Sequence, residues 1–384
     1  MTRSPLARLV WQTVLLSLTA CGGGDASTET STAADTDTDT DTDTDADTDT
    51  DTDSDTDSDT DTDTDADTST DTGAPVDDGV VHWTSADPGG VAGRWGGPSV
   101  DDLWFGGLNV LQNVGTDVLR LTADGDGFEG EVVATMTTPR YCGCALHDAG
   151  RDVLVVIGGR NDGFVEEATA ERIDLVTGEA VLLPDDGAAG RPVGCWAAFS
   201  DLADRGYVFS GYGTGFGDTT YRYDPVAETF TALGIAGPPG RYDGGMLVHE
   251  GGDLLLVGGA GDAGMLSDVW RLDPAAETWT EVSATTPAPP GRRFPFVALD
   301  GDRLYYGYGT DSLRGDNVLD DLWSFDLSTG VWTELQVDGE APTARAFAAL
   351  PPAPEGALGT LAFGVDDSMA VLRDAWTLWP GAAQ

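Results

Sequence analysis

The sequence contains no lysine, and all nineteen of its positive charges are arginines. Acidic residues number 67, so the formal net charge is −48 at pH 7. Proteins that bind nucleic acid or anionic membranes through phosphate need a basic surface, so the composition excludes that class of partner. The sequence has only three histidines and four cysteines, so few residues are available for imidazole or thiol chemistry.

The acidic charge is distributed unevenly along the chain. Residues 22–79 contain 22 acids and no base, whereas residues 80–384 contain 45 acids and 17 arginines. The first 21 residues contain basic charge only. The sequence therefore predicts three segments, which are a signal peptide (1–20), an acidic segment that begins at Cys21 (21–79) and a folded body (80–384).

The N-terminus has the pattern of a secretory signal. Arg3 and Arg8 precede an apolar run over residues 9–18, which is too short to span a bilayer as a mature helix. The run ends in Leu-Thr-Ala-Cys at residues 18–21, which resembles the lipobox of bacterial lipoproteins. That resemblance implies lipidation of Cys21, anchoring in a lipid bilayer and a location in the bacterial cell envelope, at the outer membrane or cell surface. An ordinary secretory signal with a chance cysteine is the alternative.

The acidic segment is a repetitive polymer. Aspartate occupies every odd-numbered position from Asp35 to Asp67, with Thr, Ser or Ala between. Such a segment has no apolar face to bury and cannot offset the entropy of ordering, so we expect a disordered tether. Calcium loops usually have a glycine turn and unevenly spaced ligands, so this tract favours weak counter-ion association over a calcium site. Glycosylation of its threonines is left open.

The body contains a repeat with a period near fifty residues. An arginine that opens a strand of small residues recurs with spacings of 46, 51, 50, 52 and 52. A short apolar run ending in glycine follows, as in residues 155–159, and then an alternating strand that ends in Asp and a last strand with one aromatic residue. The repeat arginines are Arg94, Arg140, Arg191, Arg241, Arg293 and Arg345.

Each repeat predicts four short strands separated by turn residues, and the period-two alternation excludes helices over most of the body. One four-stranded sheet cannot cover both of its faces, so neighbouring sheets must stack, and radial stacking gives a β-propeller. The order of Arg, Gly-Gly, aromatic strand and Trp at this period resembles the Kelch repeat over about residues 80–380. The expected fold is therefore all-β, a six-bladed Kelch-like β-propeller preceded by a disordered Asp/Thr-rich linker.

The last repeat lacks a fourth strand, whereas residues 80–85, which precede the first repeat, resemble one. We expect this strand to pair with the last repeat and to close the ring, because that pairing removes an exposed sheet edge.

Two roles are open for the repeat arginines. Each can pair with the aspartate that ends the third strand, 32 to 34 residues later in repeats two to five. Alternatively, the resemblance implies that some face the mouth of the central channel, where Kelch propellers often bind ligands. The candidate ligand-binding residues are these six arginines together with Tyr212, Tyr308, Arg314 and Asp316, which lie in polar, glycine-rich loops.

Catalytic interpretations find little support in the sequence. His147 and His249 fall in equivalent turns of non-adjacent repeats, opposite the arginine face. A copper-radical oxidase on this fold needs two histidines with a tyrosine and a Cys-linked tyrosine, and no such set is placed together. The many aspartates leave a carboxylate-pair glycosidase formally open. We therefore expect a protein that is not an enzyme and has no cofactor and no metal, with a hydrolase or oxidase on the same propeller as the alternative.

The body contains three cysteines, Cys142, Cys144 and Cys195. Cys144 and Cys195 each lie four residues after a repeat arginine, in the innermost strands of adjacent repeats. A disulfide from Cys195 to Cys144 or to Cys142 fits an oxidising compartment. Three small apolar residues packed near the axis are the alternative.

Together these features predict a non-enzymatic binding module held on a bacterial envelope by lipid and an acidic spacer. Its partner would be a protein or a carbohydrate at the channel-mouth face, nucleic acid is excluded, and a monomer is expected. A structural surface protein with no discrete ligand fits the sequence nearly as well.

Overall fold

The computed structural model describes residues 79–382, except residues 110, 112, 126, 164, 185–192, 210, 214 and 316. The predicted signal peptide, Cys21 and the acidic segment up to residue 78 lie outside the described residues. In the part that is described, every regular element is a strand. No helix there is long and apolar enough to cross a membrane.

The strands of the described residues are, in chain order, β1 Val80–Ala86, β2 Arg94–Trp95, β3 Ser99–Val100, β4 Leu103–Phe105, β5 Leu108–Asn109, β6 Asp117–Asp124, β7 Gly127–Thr135, β8 Cys144–Asp148, β9 Val153–Ile157, β10 Ala170–Asp174, β11 Ala180–Leu182, β12 Trp196–Ser200, β13 Arg205–Phe209, β14 Thr220–Asp224, β15 Thr229–Leu233, β16 Arg241–Tyr242, β17 Gly245–Val248, β18 Leu254–Val257, β19 Ala260–Gly261, β20 Gly264–Met265, β21 Val269–Asp273, β22 Thr278–Glu281, β23 Phe296–Asp300, β24 Arg303–Gly307, β25 Leu322–Asp326, β26 Val331–Glu334, β27 Gln336–Asp338, β28 Gly359–Ala362 and β29 Ala375–Pro380.

Most of these strands form four-stranded sheets, and the described residues contain six of them, numbered here along the chain. Sheets 1 to 5 are antiparallel. The predicted all-β class is confirmed. From the innermost strand outward the sheets are β3-β4-β6-β7, β8-β9-β10-β11, β12-β13-β14-β15, β17-β18-β21-β22, β23-β24-β25-β26 and β28-β29-β1-β27.

Burial explains why these segments form strands. Strands β9 and β18, the second strands of sheets 2 and 4, are buried at every residue. In the outer strand β22 only Trp279 is buried. This difference is expected where sheets stack face to face, because their central strands are covered on both sides and their outer strands are not.

Each pair of consecutive sheets shares one apolar cluster. Leu146 of sheet 2, for example, belongs to the same cluster as Phe199 of sheet 3. Sheets 6 and 1 also share a cluster, in which the Trp104 ring stacks on Phe363 with ring centroids 4.9 Å apart. The body is therefore stabilised by a series of interfaces between sheets rather than by one central core.

Sheet 6 combines strands from both ends of the described chain. Strand β1 pairs antiparallel with β29, with Trp83 opposite Leu378, and β27 adds a parallel strand on its other side. Trp83 is 4% exposed. Its ring lies 5.6 Å from the rings of both Phe296 and Tyr308, measured between centroids. The outer edge of β1 is thus covered, and an aromatic cluster fixes β1 against sheet 5.

The aspartates that end the third strands cap the turns that follow. Asp273 Oδ1 accepts the backbone N–H groups of Ala275 at 2.8 Å and of Ala276 at 3.0 Å. The prediction that these aspartates pair with the repeat arginines is wrong, because an aspartate that closes a local turn uses its carboxylate there. The same capping occurs at Asp174, Asp224 and Asp326.

Candidate functional site

One face of the body carries the loops between the second and third strands of the six sheets. Each loop begins as an arm that pairs with the segment leading into the innermost strand, as Tyr141 pairs with Arg160 and Ala346 with Val365. The segments that connect consecutive sheets therefore lie on the same side. We call this surface the hairpin face, and its loops are residues 106–116, 158–169, 211–219, 258–268, 308–321 and 363–374.

The repeat arginines of sheets 4 and 6 lie beneath the hairpin face and pair with acids of their own sheet. Arg241 donates to the carbonyl oxygen of Gly258 at 3.2 Å and to the two carboxylate oxygens of Asp268 at 2.5 and 2.7 Å. Arg345 donates to both oxygens of Asp374 at 2.9 Å. Both arginines are 0% exposed. These side chains tie the start of the third strand to the segment between sheets, and they present no surface to a ligand.

In sheet 5 the arginine in this position is Arg292 rather than Arg293. Arg292 donates to the two carboxylate oxygens of Asp321 at 2.5 and 2.7 Å. Two residues after each paired arginine the backbone has a positive φ, and in sheet 5 that residue is Phe294. Placing Arg293 in the repeat was wrong by one residue, because two adjacent arginines satisfy the same spacing. In sheet 1, Arg94 pairs with Asp117 in the same way.

The acids of these pairs have shifted pKa values. Burial raises the pKa of Asp117, Asp321 and Asp374, but the hydrogen bonds and positive charge of their arginines outweigh it, so each pKa lies below its usual value. Asp321 and Asp374 also accept the indole N–H groups of Trp323 and Trp376. The three carboxylates are therefore ionised at neutral pH and act as structural anions.

In sheet 2 the acid that pairs with the repeat arginine comes from a different position of the strand. Thr169 occupies the position of the usual aspartate, and Glu171 occupies that of the usual tryptophan. Glu171 is 0% exposed and lies 3.5 Å from Nη2 of Arg140, and it also accepts the backbone N–H of Thr137. A glutamate two residues further along the strand thus supplies the missing carboxylate.

The other predicted binding residues lie in different environments. Arg191 and Asp316 are outside the described residues. Tyr308 is 1% exposed and packs against Trp83, so it is a core residue. Arg314 is exposed in the fifth hairpin. Of these two described residues, Tyr308 and Arg314, it is Arg314 whose side chain a partner could reach directly.

Tyr212 belongs to a partly exposed aromatic group on the third hairpin. Its ring lies 5.3 Å from Phe216 and 5.7 Å from Tyr242, and Phe216 stacks on Tyr242 at 5.4 Å. These contacts hold the glycine-rich third hairpin against the segment between sheets 3 and 4. Tyr212 is therefore half-buried, with most of its ring used for packing.

A cavity of 520 Å³ follows the innermost strands of the six sheets. Its rim below the hairpin face is formed by one residue with positive φ from each sheet. Backbone hydrogen bonds join neighbouring rim residues, from Cys142 N–H to Gly96 O at 2.9 Å and from Gly194 N–H to Cys142 O at 2.7 Å. The rim residues are Gly96, Cys142, Gly194, Asp243, Phe294 and Phe347.

Asp243 brings a buried charge to this rim. Arg293 Nε and Nη2 both donate to Asp243 Oδ2, at 3.1 and 2.5 Å, and the Arg293 guanidinium lies 4.5 Å from the centre of the Tyr242 ring. Arg293 Nη1 donates to the carbonyl oxygen of Leu313 at 2.9 Å. Burial raises the pKa of Asp243 to about 6, although the charge of Arg293 opposes that change. Arg293 thus links sheets 4 and 5 and holds the fifth hairpin in place.

A disulfide joins Cys144 in β8 to Cys195 next to β12, with Cα atoms 5.4 Å apart. It links the innermost strands of sheets 2 and 3 beside the cavity. None of the cysteines in the described residues is a free thiol.

The histidines of the opposite face form pairs between sheets. This turn face carries the turns between first and second strands. Nδ1 of His147 lies 2.7 Å from Asp101 Oδ2, and Nε2 of His249 lies 2.9 Å from Asp302 Oδ1. Each pair joins the turns of neighbouring sheets. The described residues contain no group of three or more His, Cys, Asp or Glu side chains that could hold a metal ion.

Three apolar side chains on the hairpin face are largely exposed to solvent. Leu111 is 76% exposed, Val165 is 60% exposed and Leu313 is 52% exposed. They lie in three different hairpins, and the prediction from sequence missed them. For Val165 and Leu313 the signal was present, because each is an apolar residue within a polar loop that follows a glycine-ended run, whereas the loop that carries Leu111 contains several other apolar residues.

Comparisons with known proteins agree with this architecture. A family model for the KLHDC2/KLHL20/DRC7 Kelch-repeats domain matches residues 142–351. The chain is 33% identical over 126 residues to acyl-CoA-binding domain-containing protein 4 of Arabidopsis thaliana, which covers 32% of this chain and 19% of that protein. It is 33% identical over 112 residues to adagio-like protein 3 of rice, covering 28% and 18%.

A third relative is the flagellar outer-arm dynein alpha chain of Chlamydomonas reinhardtii, 32% identical over 100 residues, which are 24% of this chain and 2% of that one. The chain thus spans less than a fifth of the length of these relatives. The predicted location in a bacterial cell envelope, with a lipid anchor, is wrong. The matched relatives are plant and algal proteins rather than bacterial envelope lipoproteins.

Proposed function

The chain belongs to the Kelch-repeat family, and from that premise we propose that its body is an interaction module that binds a partner protein on the hairpin face. The observation that carries the proposal is the exposure of Leu111, Val165 and Leu313 on three hairpins of one face. Apolar side chains exposed on the loops of one face supply surface that a partner protein can bury.

The scaffold beneath these hairpins supports such a role. Buried pairs such as Arg241–Asp268 and Arg293–Asp243 hold the base of the loops through several hydrogen bonds each. Loops that a rigid scaffold positions can bind a partner without a large entropic cost of ordering. The hairpins are therefore suited to present a fixed contact surface.

A protein partner fits this surface better than a carbohydrate does. Aromatic rings that are open for stacking favour carbohydrate binding, and Tyr212 and Phe216 instead pack against Tyr242. The exposed aliphatic side chains instead offer apolar contact area of the kind that proteins bury at interfaces. The activities named for the relatives belong to proteins far longer than this chain, and the proposal does not extend to them.

Site-specific photo-crosslinking tests the proposal with a closely matched control. Leu111 on the hairpin face is 76% exposed and Leu202 on the turn face is 77% exposed. A benzophenone amino acid placed at each position in turn, in the full chain and in an extract of cells that express it, should give a discrete protein adduct at position 111 and none at position 202. Equal labelling at both positions, or no adduct at position 111, would contradict a docking role for the hairpin face.

A further inference from the structure

The exposed charges of the hairpin face are predominantly negative. Its described residues include seven exposed acids but two exposed arginines, Arg314 and Arg373. The repeat arginines that the structure describes do not reverse this balance, because they are buried and already paired with acids. The exposed acids are Asp162, Glu166, Asp218, Asp262, Asp311, Asp320 and Asp367.

The acids lie next to the exposed apolar side chains. Asp162 and Glu166 flank Val165 in the second hairpin, and Asp311 precedes Leu313 by two residues in the fifth. Lysine and arginine have a long aliphatic stem and a charged end, so they can cover an apolar side chain and reach a neighbouring carboxylate at the same time. This pattern of contacts is complementary to a basic segment and repels an acidic one.

We infer that the partner segment bound by the hairpin face is basic, with lysine or arginine residues interspersed with apolar ones. This inference rests on the proposed function above and specifies the chemistry of the partner. The charge of the segment determines how fast and how selectively it binds, and its apolar residues bury Leu111, Val165 and Leu313.

Two labelled peptides of equal length test whether the hairpin face prefers a basic segment to an acidic one. One alternates Lys-Leu pairs with serine, and the other has glutamate in place of each lysine. Fluorescence anisotropy with the full chain should give a dissociation constant at least tenfold lower for the Lys-Leu peptide at 50 mM salt, and the difference should shrink at 500 mM salt because salt screens exposed charges. Equal binding of the two peptides, or tighter binding of the glutamate peptide, would overturn the inference.

The acidic segment at residues 22–79 can itself attract a basic peptide, so the decisive comparison is between variants that all retain it. Leu111→Ser with Leu313→Ser should weaken binding of the Lys-Leu peptide at least tenfold. Leu202→Ser with Val226→Ser, at turn-face residues that are 77% and 79% exposed, should change it less than twofold. Equal loss in both variants, or in neither, would show that the peptide does not bind the hairpin face and would count against the docking site as well.

A second pair of variants isolates the charge. Asp162→Asn with Asp262→Asn should weaken the Lys-Leu peptide several-fold and reduce the salt dependence, whereas Asp201→Asn with Glu250→Gln on the turn face should do neither. If the glutamate peptide bound tightly and lost that binding in the Leu111/Leu313 variant, the charge inference would fail while the docking site would stand. All four acids are exposed, so the variants should melt at the same temperature as the parent chain.

Discussion

Arg241 and Asp268 form an ion pair in which the guanidinium side chain has no exposed surface and the carboxylate side chain is 25% exposed. The same geometry recurs in Arg292–Asp321 and Arg345–Asp374, whereas the arginine side chain of the Arg94–Asp117 pair is 11% exposed. In the three pairs with a fully buried arginine, that arginine depends on its partner, because water cannot solvate it if the acid is removed.

Asp268→Ala should be strongly destabilising, by about 3–5 kcal/mol, because it leaves a buried guanidinium charge without its carboxylate. Asp273→Ala removes only a turn cap, so it should cost about 1 kcal/mol, the usual net value of a hydrogen bond. Urea unfolding of both variants measures the difference. Similar decreases in the free energy of unfolding of the two variants would mean that the Arg241–Asp268 pair contributes no more to stability than a turn cap.

The pKa shifts predict how stability depends on pH. Asp117, Asp321 and Asp374 have pKa values below those of the unfolded chain, so their ion pairs contribute stability above the unfolded pKa of about 4 and lose it as the pH falls below that value. The midpoint of urea unfolding should therefore fall as the pH drops below about 4. Asp374→Asn should make the urea midpoint depend less on pH in this range. An unchanged pH dependence would contradict the lowered pKa of Asp374.

Asp243 should give stability the opposite dependence on pH. Its pKa in the folded chain is raised to about 6, so the folded state binds a proton there that the unfolded state has already released. Its contribution to stability is therefore greatest below the unfolded pKa and is lost as the pH rises from about 4 to 6. Asp243→Asn should remove this loss from the measured stability curve, whereas the exposed Asp262→Asn should leave it in place.

The disulfide should stabilise the interface between sheets 2 and 3. Cys144 and Cys195 are 51 residues apart in sequence, and closing a loop of that length typically stabilises a fold by about 2–4 kcal/mol. Cys144→Ser with Cys195→Ser should lower the melting temperature accordingly in differential scanning calorimetry. A melting temperature equal to that of the parent chain would show that packing alone determines this interface.

Deleting residues 80–85 should lower the melting temperature by at least about 10 °C, since truncating one buried tryptophan already costs about 3–5 kcal/mol. The deletion removes Trp83 from its contacts with Phe296 and Tyr308 and exposes the edge of β29. Circular dichroism melts of the full chain and of the deletion test this. A shift of only a degree or two would mean that β1 contributes little to sheet 6.

The repeat pattern of the sequence was sufficient to predict the all-β class and the Kelch family, because strand alternation and glycine-ended runs recur at a fixed period. The pairing of the arginines was not predictable in the same way. The fourth and fifth repeats each offer an acid before the third strand and another at its end, and spacing alone cannot distinguish Asp268 from Asp273 as the partner of Arg241.

The same limit applies to the site. Arg292 and Arg293 are adjacent, and only the backbone conformation at Phe294 shows which of them is the repeat residue. Tyr308 looked like an exposed loop residue, but this first residue of the fifth hairpin is buried and packs against Trp83. Leu111 and Leu313 were visible in the sequence, but their common face depends on how the sheets stack, which no local pattern contains.

Glu171 changes how the repeats of this chain should be redesigned. A column-by-column consensus would place aspartate at Thr169 and tryptophan at Glu171, since the fourth, fifth and sixth sheets have those residues. Thr169→Asp alone would bring two carboxylates to the single guanidinium of Arg140, and Glu171→Trp alone would leave that guanidinium with none. Both positions must be exchanged together, so the unit that can be transplanted between repeats is the ion pair and not the single residue.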